Sequence, residues 1–228
     1  MDKSEIIRKF EDFAPLELAE SWDCCGWLVE TPQQNVKRIM LCLTVTADII
    51  KQAREKKCDM IISHHPLFSV PLAWKDLDIY CAHTNLDLAE GGTTDTLIKA
   101  LDLKKTEQNG FIRYVCLPEG ISVGDFTQKL SKISPNLRYT NNKNEAAIKK
   151  IGFCAGSGAE FLQEAFENGA DAFVTGDVKF HTAVESPIVL FDIGHFESEI
   201  LILDVFEKLL DNRVEILRAE EESPFIYE

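Results

Sequence analysis

Apolar residues along the chain fall into short runs of two kinds, and the two kinds alternate. Compact runs of β-branched and apolar residues read as strands, whereas stretches with apolar positions every three or four residues read as amphipathic helices. On this basis residues 3–10 form a helix and residues 15–21 can start another. Residues 38–46 form a buried strand with Leu41, Leu43 and Val45 on one face, and Thr46 with Asp48 offers an N-cap for a helix to about 57. Residues 59–63 make a strand that ends at His64-His65. Pro66 then forces a turn, because the residue before a proline is pushed into extended backbone. Residues 78–84 give a third strand, followed by a polar turn and a helix from about 92 to 101.

The remainder repeats the pattern. Strands are expected over 110–117, 137–140, 148–155, 172–175 and 188–192, and helices over 122–131, 159–168 and the stretch after 175. Residues 141–145 read as a polar surface turn, and an amphipathic helix over 197–210 closes the series. Such alternation predicts an α/β protein with parallel or mixed sheets.

Composition narrows the picture. With 228 residues, 45% of them apolar, the chain suits one large domain or two small packed lobes. No run approaches the roughly 20 apolar residues of a membrane span. The first ten residues include Asp2, Glu5, Arg8 and Lys9, unlike a signal or transit peptide, so a cytoplasmic location is expected. The seven cysteines form no C-x-x-C pair. Cys42, Cys81, Cys116 and Cys154 sit in apolar runs and read as small hydrophobes, while Cys24 and Cys25 lie in a less regular segment and stay open to chemistry. A net charge of −14 argues against nucleic acid and anionic membranes as partners, since both are bound through excess Lys and Arg.

The chemistry collects on histidines. Only five are present, and His64, His65, His83 and His195 lie at or just beyond predicted strand ends, where α/β folds gather ligands. Neighbouring residues of extended chain point to opposite sides, so His64 and His65 suit two ions side by side, one imidazole each. His195 and Glu199, four apart at a helix start, share a face. Asp87 follows His83 by four residues. Three imidazoles and two carboxylates leave open positions on two divalent ions and a net cationic centre, which suits activation of water and an anionic substrate. Without thiolate ligands a structural zinc site is disfavoured, and Zn, Mn, Fe, Co or Ni all fit nitrogen and oxygen donors. The Gly-rich run 152–158 lacks the Lys-Ser/Thr of a P-loop and reads as a tight turn.

Four blocks carry a resemblance: S-H-H-P-L-F at 63–68, H-T-N-L-D-x-A-x-G-G at 83–92, T-G-D-x-K-x-H at 175–181 and G-H-F-E-S-E at 194–199. With W-D-C-C-G-W-L-V at 22–29, they resemble, in order, the signature blocks of the NGG-interacting-factor-like dinuclear metal proteins, also called GTP cyclohydrolase I type 2 homologues. The resemblance implies two related α/β lobes with mixed sheets and a metal site in the cleft between them, in the short form without an inserted central domain. The lobes would cover about 1–105 and 106–190, with 191–228 returning to the metals. By motif position it assigns His64, His65, Asp87, His195 and Glu199 as ligands, Glu199 as the bridge. It also implies a toroidal homohexamer. Departures exist: the usual W-D-N reads Trp22-Asp23-Cys24, L-D-x-T reads Leu43-Thr44-Val45-Thr46, and G-G-x-N-D reads Gly91-Gly92-Thr93-Thr94-Asp95.

His83 and His181 are candidates for proton transfer or substrate contact, and Asp177 with Lys179 for orienting an anion, against a plain polar turn. Two functions follow. The first is a metal-dependent hydrolase of a nucleotide or phosphorylated small molecule, in one version opening the imidazole ring of GTP. The second is a non-enzymatic metal-binding or interaction protein.

Overall fold

Strand and helix alternate throughout the computed structural model, which describes residues 1–210 and 213–226. The strands are β1 (Gly26–Val29), β2 (Arg38–Cys42), β3 (Met60–Ser63), β4 (Asp78–Cys81), β5 (Glu107–Asn109), β6 (Ile112–Ser122), β7 (Arg138–Thr140), β8 (Ala147–Phe153), β9 (Ala172–Thr175), β10 (Val189–Asp192) and β11 (Glu215–Arg218). The helices are α1 (Lys3–Phe13), α2 (Ala47–Glu55), α3 (Thr84–Leu88), α4 (Thr93–Ala100), α5 (Val123–Leu130), α6 (Leu162–Glu167), α7 (Phe180–Glu185), α8 (His195–Glu199) and α9 (Leu203–Leu209).

Internal contacts divide the chain into two units, Met1–Gly92 with Ile202–Glu222, and Thr93–Leu201 with Ser223–Glu228. Both are α/β with a mixed sheet. The first boundary falls at Gly92 instead of near 105 because α4 sends Leu97 and Ile98 into the core of Val115, Phe126, Phe153 and Val174. The segment 191–228 is shared. From Ile202 onward it belongs mainly to the first unit, where Phe206 packs edge-on against Phe10 at 5.3 Å.

In the first unit the sheet order is β1-β4-β3-β2-β11. β11, β2, β3 and β4 run parallel, and β1 is antiparallel to β4. Both β3 and β4 are buried along their whole length, as parallel strands covered on both faces must be. Each buried Ile there contributes about 1.5–3 kcal/mol. Thr46 caps α2 by accepting from the Ile49 amide, as its sequence position predicts. The register sets Ser63 beside Cys81, so the chain leaves β3 and β4 from adjacent points.

The second sheet has the order β5-β6-β8-β9-β10-β7. β8, β9 and β10 are parallel and the rest antiparallel. Thr175 pairs with Asp192 at the ends of β9 and β10, which brings the two following loops together.

Three expectations change. The third strand stops at Cys81, and 84–88 is a helix, because Asp23 binds the Thr84 amide and hydroxyl and turns the chain there. The closing helix breaks into α8, a 3₁₀ turn at Ile200–Ile202 and α9. Four consecutive apolar residues, Ile200 to Leu203, cannot all face one side of a single α-helix. Cys116 is exposed, opposite Lys150 on β8, while Cys42, Cys81 and Cys154 are buried as expected. β5 (E-Q-N) has no apolar residue and β11 (E-I-L-R) only two, so neither shows a strand pattern, and β1 (G-W-L-V) is a four-residue run with no alternation. Among the described residues, no helix is long and apolar enough to cross a membrane.

Candidate metal centre

The first unit gathers three imidazoles and an acid. Ring nitrogens of His64, His65 and His83 all lie within 4.8 Å of one another. His64 and His65 face each other at 5.1 Å between ring centres instead of pointing apart. The alternation expected of a strand does not apply, because both residues lie past the end of β3, where the chain turns into Pro66. Asp87 sits on α3, one turn beyond His83, with its amide bonded to the His83 carbonyl at 2.9 Å. Its Oδ1 lies 3.5 Å from His64 Nε2.

Hydrogen bonds fix which nitrogen each ring presents. His64 Nδ1 lies 2.8 Å from the Ala82 carbonyl, which can only accept, so Nδ1 carries the proton and Nε2 keeps its lone pair. His83 Nδ1 meets Asp23 Oδ2 at 2.9 Å, with the same consequence. Burial works against the Asp23 charge, but bonds from Thr84 and Cys25 and the neighbouring His83 outweigh it and hold the carboxyl down to about 2. His65 Nδ1 lies 2.6 Å from the Thr44 hydroxyl. The Thr44 hydroxyl can accept a hydrogen bond from Nδ1–H. Ring partners of this kind orient metal-binding histidines and raise their basicity.

The second unit offers a tighter, smaller set. His195 and Glu199 begin and end α8, and Nε2 meets Oε2 at 2.9 Å. On the other side, His195 Nδ1 bonds Asp177 Oδ2 at 2.7 Å. Burial disfavours the imidazolium, but Glu199 and Asp177 outweigh it and raise the ring to about 9. Glu199 is buried, at 4% exposure. Asp177 has φ of +54°, in the left-handed region that Asp tolerates better than most residues.

The Gly156 turn makes room for this pair. Its φ is +67°, and an added Cβ would lie 2.1 Å from Glu199 Oε1. The Gly156 amide donates to Ser198 Oγ, which donates in turn to the His195 carbonyl, tying the turn to α8. The run is thus the tight turn the sequence predicts, with the added task of clearing space for a carboxylate. Beside His195 lies a cavity of about 250 Å³ lined in part by Asn136, Arg138, Asp192 and Phe225. Arg138 is anchored to Asp192 by Nε and Nη2 at 2.9 and 2.8 Å.

A family model of Duf34/NIF3 (NGG1p interacting factor 3) matches residues 1–224. The chain belongs to that family. A Clostridium perfringens relative named GTP cyclohydrolase 1 type 2 homolog is 34% identical, covering 99% of each chain. A Drosophila melanogaster relative named NIF3-like protein 1 is 30% identical over 79% of this chain and 70% of its own. Among solved structures, reduced HcgD from Methanocaldococcus jannaschii has a TM-score of 0.84 at 26% identity, covering 97% of this chain and 98% of its own. The protein ybgI reaches 0.88 at 19%, covering 99% and 100%, which speaks for the fold.

Within this NIF3-family chain the donors suit divalent cations. They are imidazole nitrogens, on rings already held by their other nitrogen, and carboxylate oxygens, the chemistry of Zn, Mn, Fe, Co or Ni sites. Burial pushes the Cys25 thiol up to about 11, and Sγ donates to Asp23 Oδ2. His181 is exposed on α7 against the Phe180 ring at 5.4 Å, and among the described residues it joins none of the donor groups. Lys179 is exposed on the same loop. Asp177 orients His195 through its Nδ1.

Proposed function

We propose that the two donor sets serve one centre, in which His64, His65, Asp87, His195 and Glu199 would hold two divalent ions. On this reading the protein is a metal-dependent hydrolase of a nucleotide or phosphorylated small molecule. The observation that carries it is the locking of imidazoles by their Nδ1 atoms: Ala82 carbonyl for His64, Asp177 for His195. Rings fixed in this way hold Nε2 in a set orientation and lose little freedom on binding, although His195 must first give up its proton. Two divalent ions would supply Lewis acidity and lower the pKa of bound water.

The chain's own residues do the rest. Two carboxylates against two dications leave the centre cationic, which favours an anionic substrate. His83, whose Nδ1 donates to Asp23, can take a proton on Nε2 and return it. The cavity beside His195 gives a small molecule a walled place in the second unit. The proposal extends to a toroidal homohexamer working in the cytoplasm, which light scattering on purified protein checks.

The test is direct. Protein loaded with each of Zn, Mn, Fe, Co and Ni is assayed on GTP and on phosphoesters, with metal content measured alongside. Two bound ions per chain and metal-dependent turnover that Glu199→Gln abolishes are expected. Two ions with no turnover on any substrate, and assembly controlled by metal, would establish the non-enzymatic role instead.

A further inference from the structure

We propose that Trp22 and Phe68 form a stacking platform for a flat heteroaromatic ring, so that the ligand of this centre is a nucleobase-bearing molecule and not a simple phosphoester. The proposal rests on the reading of the donor sets as a substrate-binding metal centre. Trp22 is 58% exposed and Phe68 68%. Trp is highly buried on average, and large exposed aromatic surface is a liability unless something covers it. The other two tryptophans have structural work. Trp27 packs edge-on against Tyr80 at 5.5 Å, and Trp74 packs against the first unit's core. Trp22 and Phe68 have no such place in the core.

Their positions relate them to the imidazoles. The Trp22 and Phe68 rings lie 29° from parallel with centres 6.5 Å apart, at the loose end of aromatic contact, which leaves their faces available. The Trp22 ring also meets His83 at 6.2 Å, nearly edge-on at 76°. His83 in turn lies 5.1 Å from the His64 ring and 5.8 Å from the His65 ring. Trp22 adjoins Asp23, the residue that holds His83 Nδ1, and Phe68 follows His65 by three residues across Pro66. A ring stacked on this pair is therefore delivered beside His83. A nucleotide supplies a π-face for the platform and anionic oxygens for the cations, whereas a sugar phosphate leaves the platform unused.

Binding of GMP and of ribose 5-phosphate to the metal-loaded full-length protein, measured by equilibrium dialysis, tests this without any need for turnover. Loss of one base-stacking contact weakens binding by about 5- to 100-fold. GMP should bind at least about tenfold more tightly than ribose 5-phosphate. Trp22→Ala should remove that preference, Trp22→Phe should keep most of it, and Phe68→Ala should reduce it. Equal affinities in the wild type, no measurable GMP binding, or an undiminished preference in Trp22→Ala overturns the proposal. So does a change of oligomeric state in Trp22→Ala and Phe68→Ala with the preference intact, which would make the patch a contact between copies. A Trp22-dependent preference with no turnover on any substrate would sink the hydrolase reading and leave the platform standing.

Discussion

The two units hold their imidazoles by different means. In the first, His64 and His65 rest on neutral oxygens, the Ala82 carbonyl and the Thr44 hydroxyl, and only His83 leans on a carboxylate. In the second, a single imidazole is clamped between two carboxylates, Glu199 and Asp177. The first arrangement orients each ring through a hydrogen bond at Nδ1. The second holds its ring protonated up to about 9, so a metal must displace a proton that two acids have drawn there. Several moderately held donors tolerate the loss of one partner; one ring with one carboxylate does not. The second unit should therefore be the more fragile half of the proposed centre.

The largest effect should come from Glu199. Glu199→Ala removes the second unit's buried carboxylate and leaves His195 as its one remaining proposed ligand, so metal affinity should fall by more than about 100-fold. Calorimetric titration with the metal measures it. A fall below tenfold would mean that Glu199 is no ligand, and the contrast between the units would go with it.

Asp177→Asn comes next and sharpens the contrast. The amide can no longer accept as an anion from His195 Nδ1, and metal affinity should drop about 10- to 100-fold, the usual cost of losing such a partner. Thr44→Val, which removes the partner of His65 in the first unit, should cost less than Asp177→Asn in the same titration. The opposite order would show that the neutral anchors matter more than the charged ones.

Much of this contrast could be read from the sequence, and what escaped did so for a common reason. Periodicity located the parallel strands apart from β11, and His195 with Glu199 came together because i and i+4 share a helix face. The anchors Asp23, Thr44 and Asp177 lie 60, 21 and 18 residues from the rings they hold. No local pattern signals a hydrogen bond across such distances. The W-D-C-C segment and the T-G-D-x-K-x-H block did mark Asp23 and Asp177 as places of interest, without assigning their partners. Gly156 was legible as a turn but not as clearance for Glu199, since that needs the position of α8. Short edge strands such as β11, whose residues are exposed or half-buried, gave no hydrophobic run to detect.

Gly156→Ala turns that clearance into a measurement. A Cβ there combines a left-handed backbone with a clash against Glu199 Oε1, and such strain costs on the order of 1–3 kcal/mol. Chemical unfolding of metal-free protein should show that loss. A change under half a kcal/mol would mean that the turn and α8 are not tightly coupled.

In the first unit, Asp23 gives a test through pH. Its carboxyl is held down to about 2, against about 3.9 in an unfolded chain. A lowered acid stabilises the fold above the unfolded value and loses that contribution as pH falls through the folded one. Asp23→Asn should cost on the order of 1–2 kcal/mol at pH 7. The gap between wild type and variant should narrow below about pH 4 and close near pH 2. A gap independent of pH would assign the loss to packing instead of charge.

The smallest effect concerns thiols, and it asks whether Asp23 also quiets its neighbour. Cys25 donates to Asp23 Oδ2, and burial followed by that acceptor pushes its thiol up to about 11. The reactive species is the thiolate, so at pH 7.5 Cys25 should react with an aromatic disulfide reagent far more slowly than a free thiol of pKa about 8.5. Cys116 is exposed and should react first, and Cys116→Ser should remove that fast phase. In the Asp23→Asn background the acceptor charge is gone, so Cys25 should ionise more readily and its labelling should quicken by a few fold. Labelling that stays equally slow would make burial alone responsible. Asp23 would then be an anchor for His83 and Thr84, with no hold on the cysteine beside it.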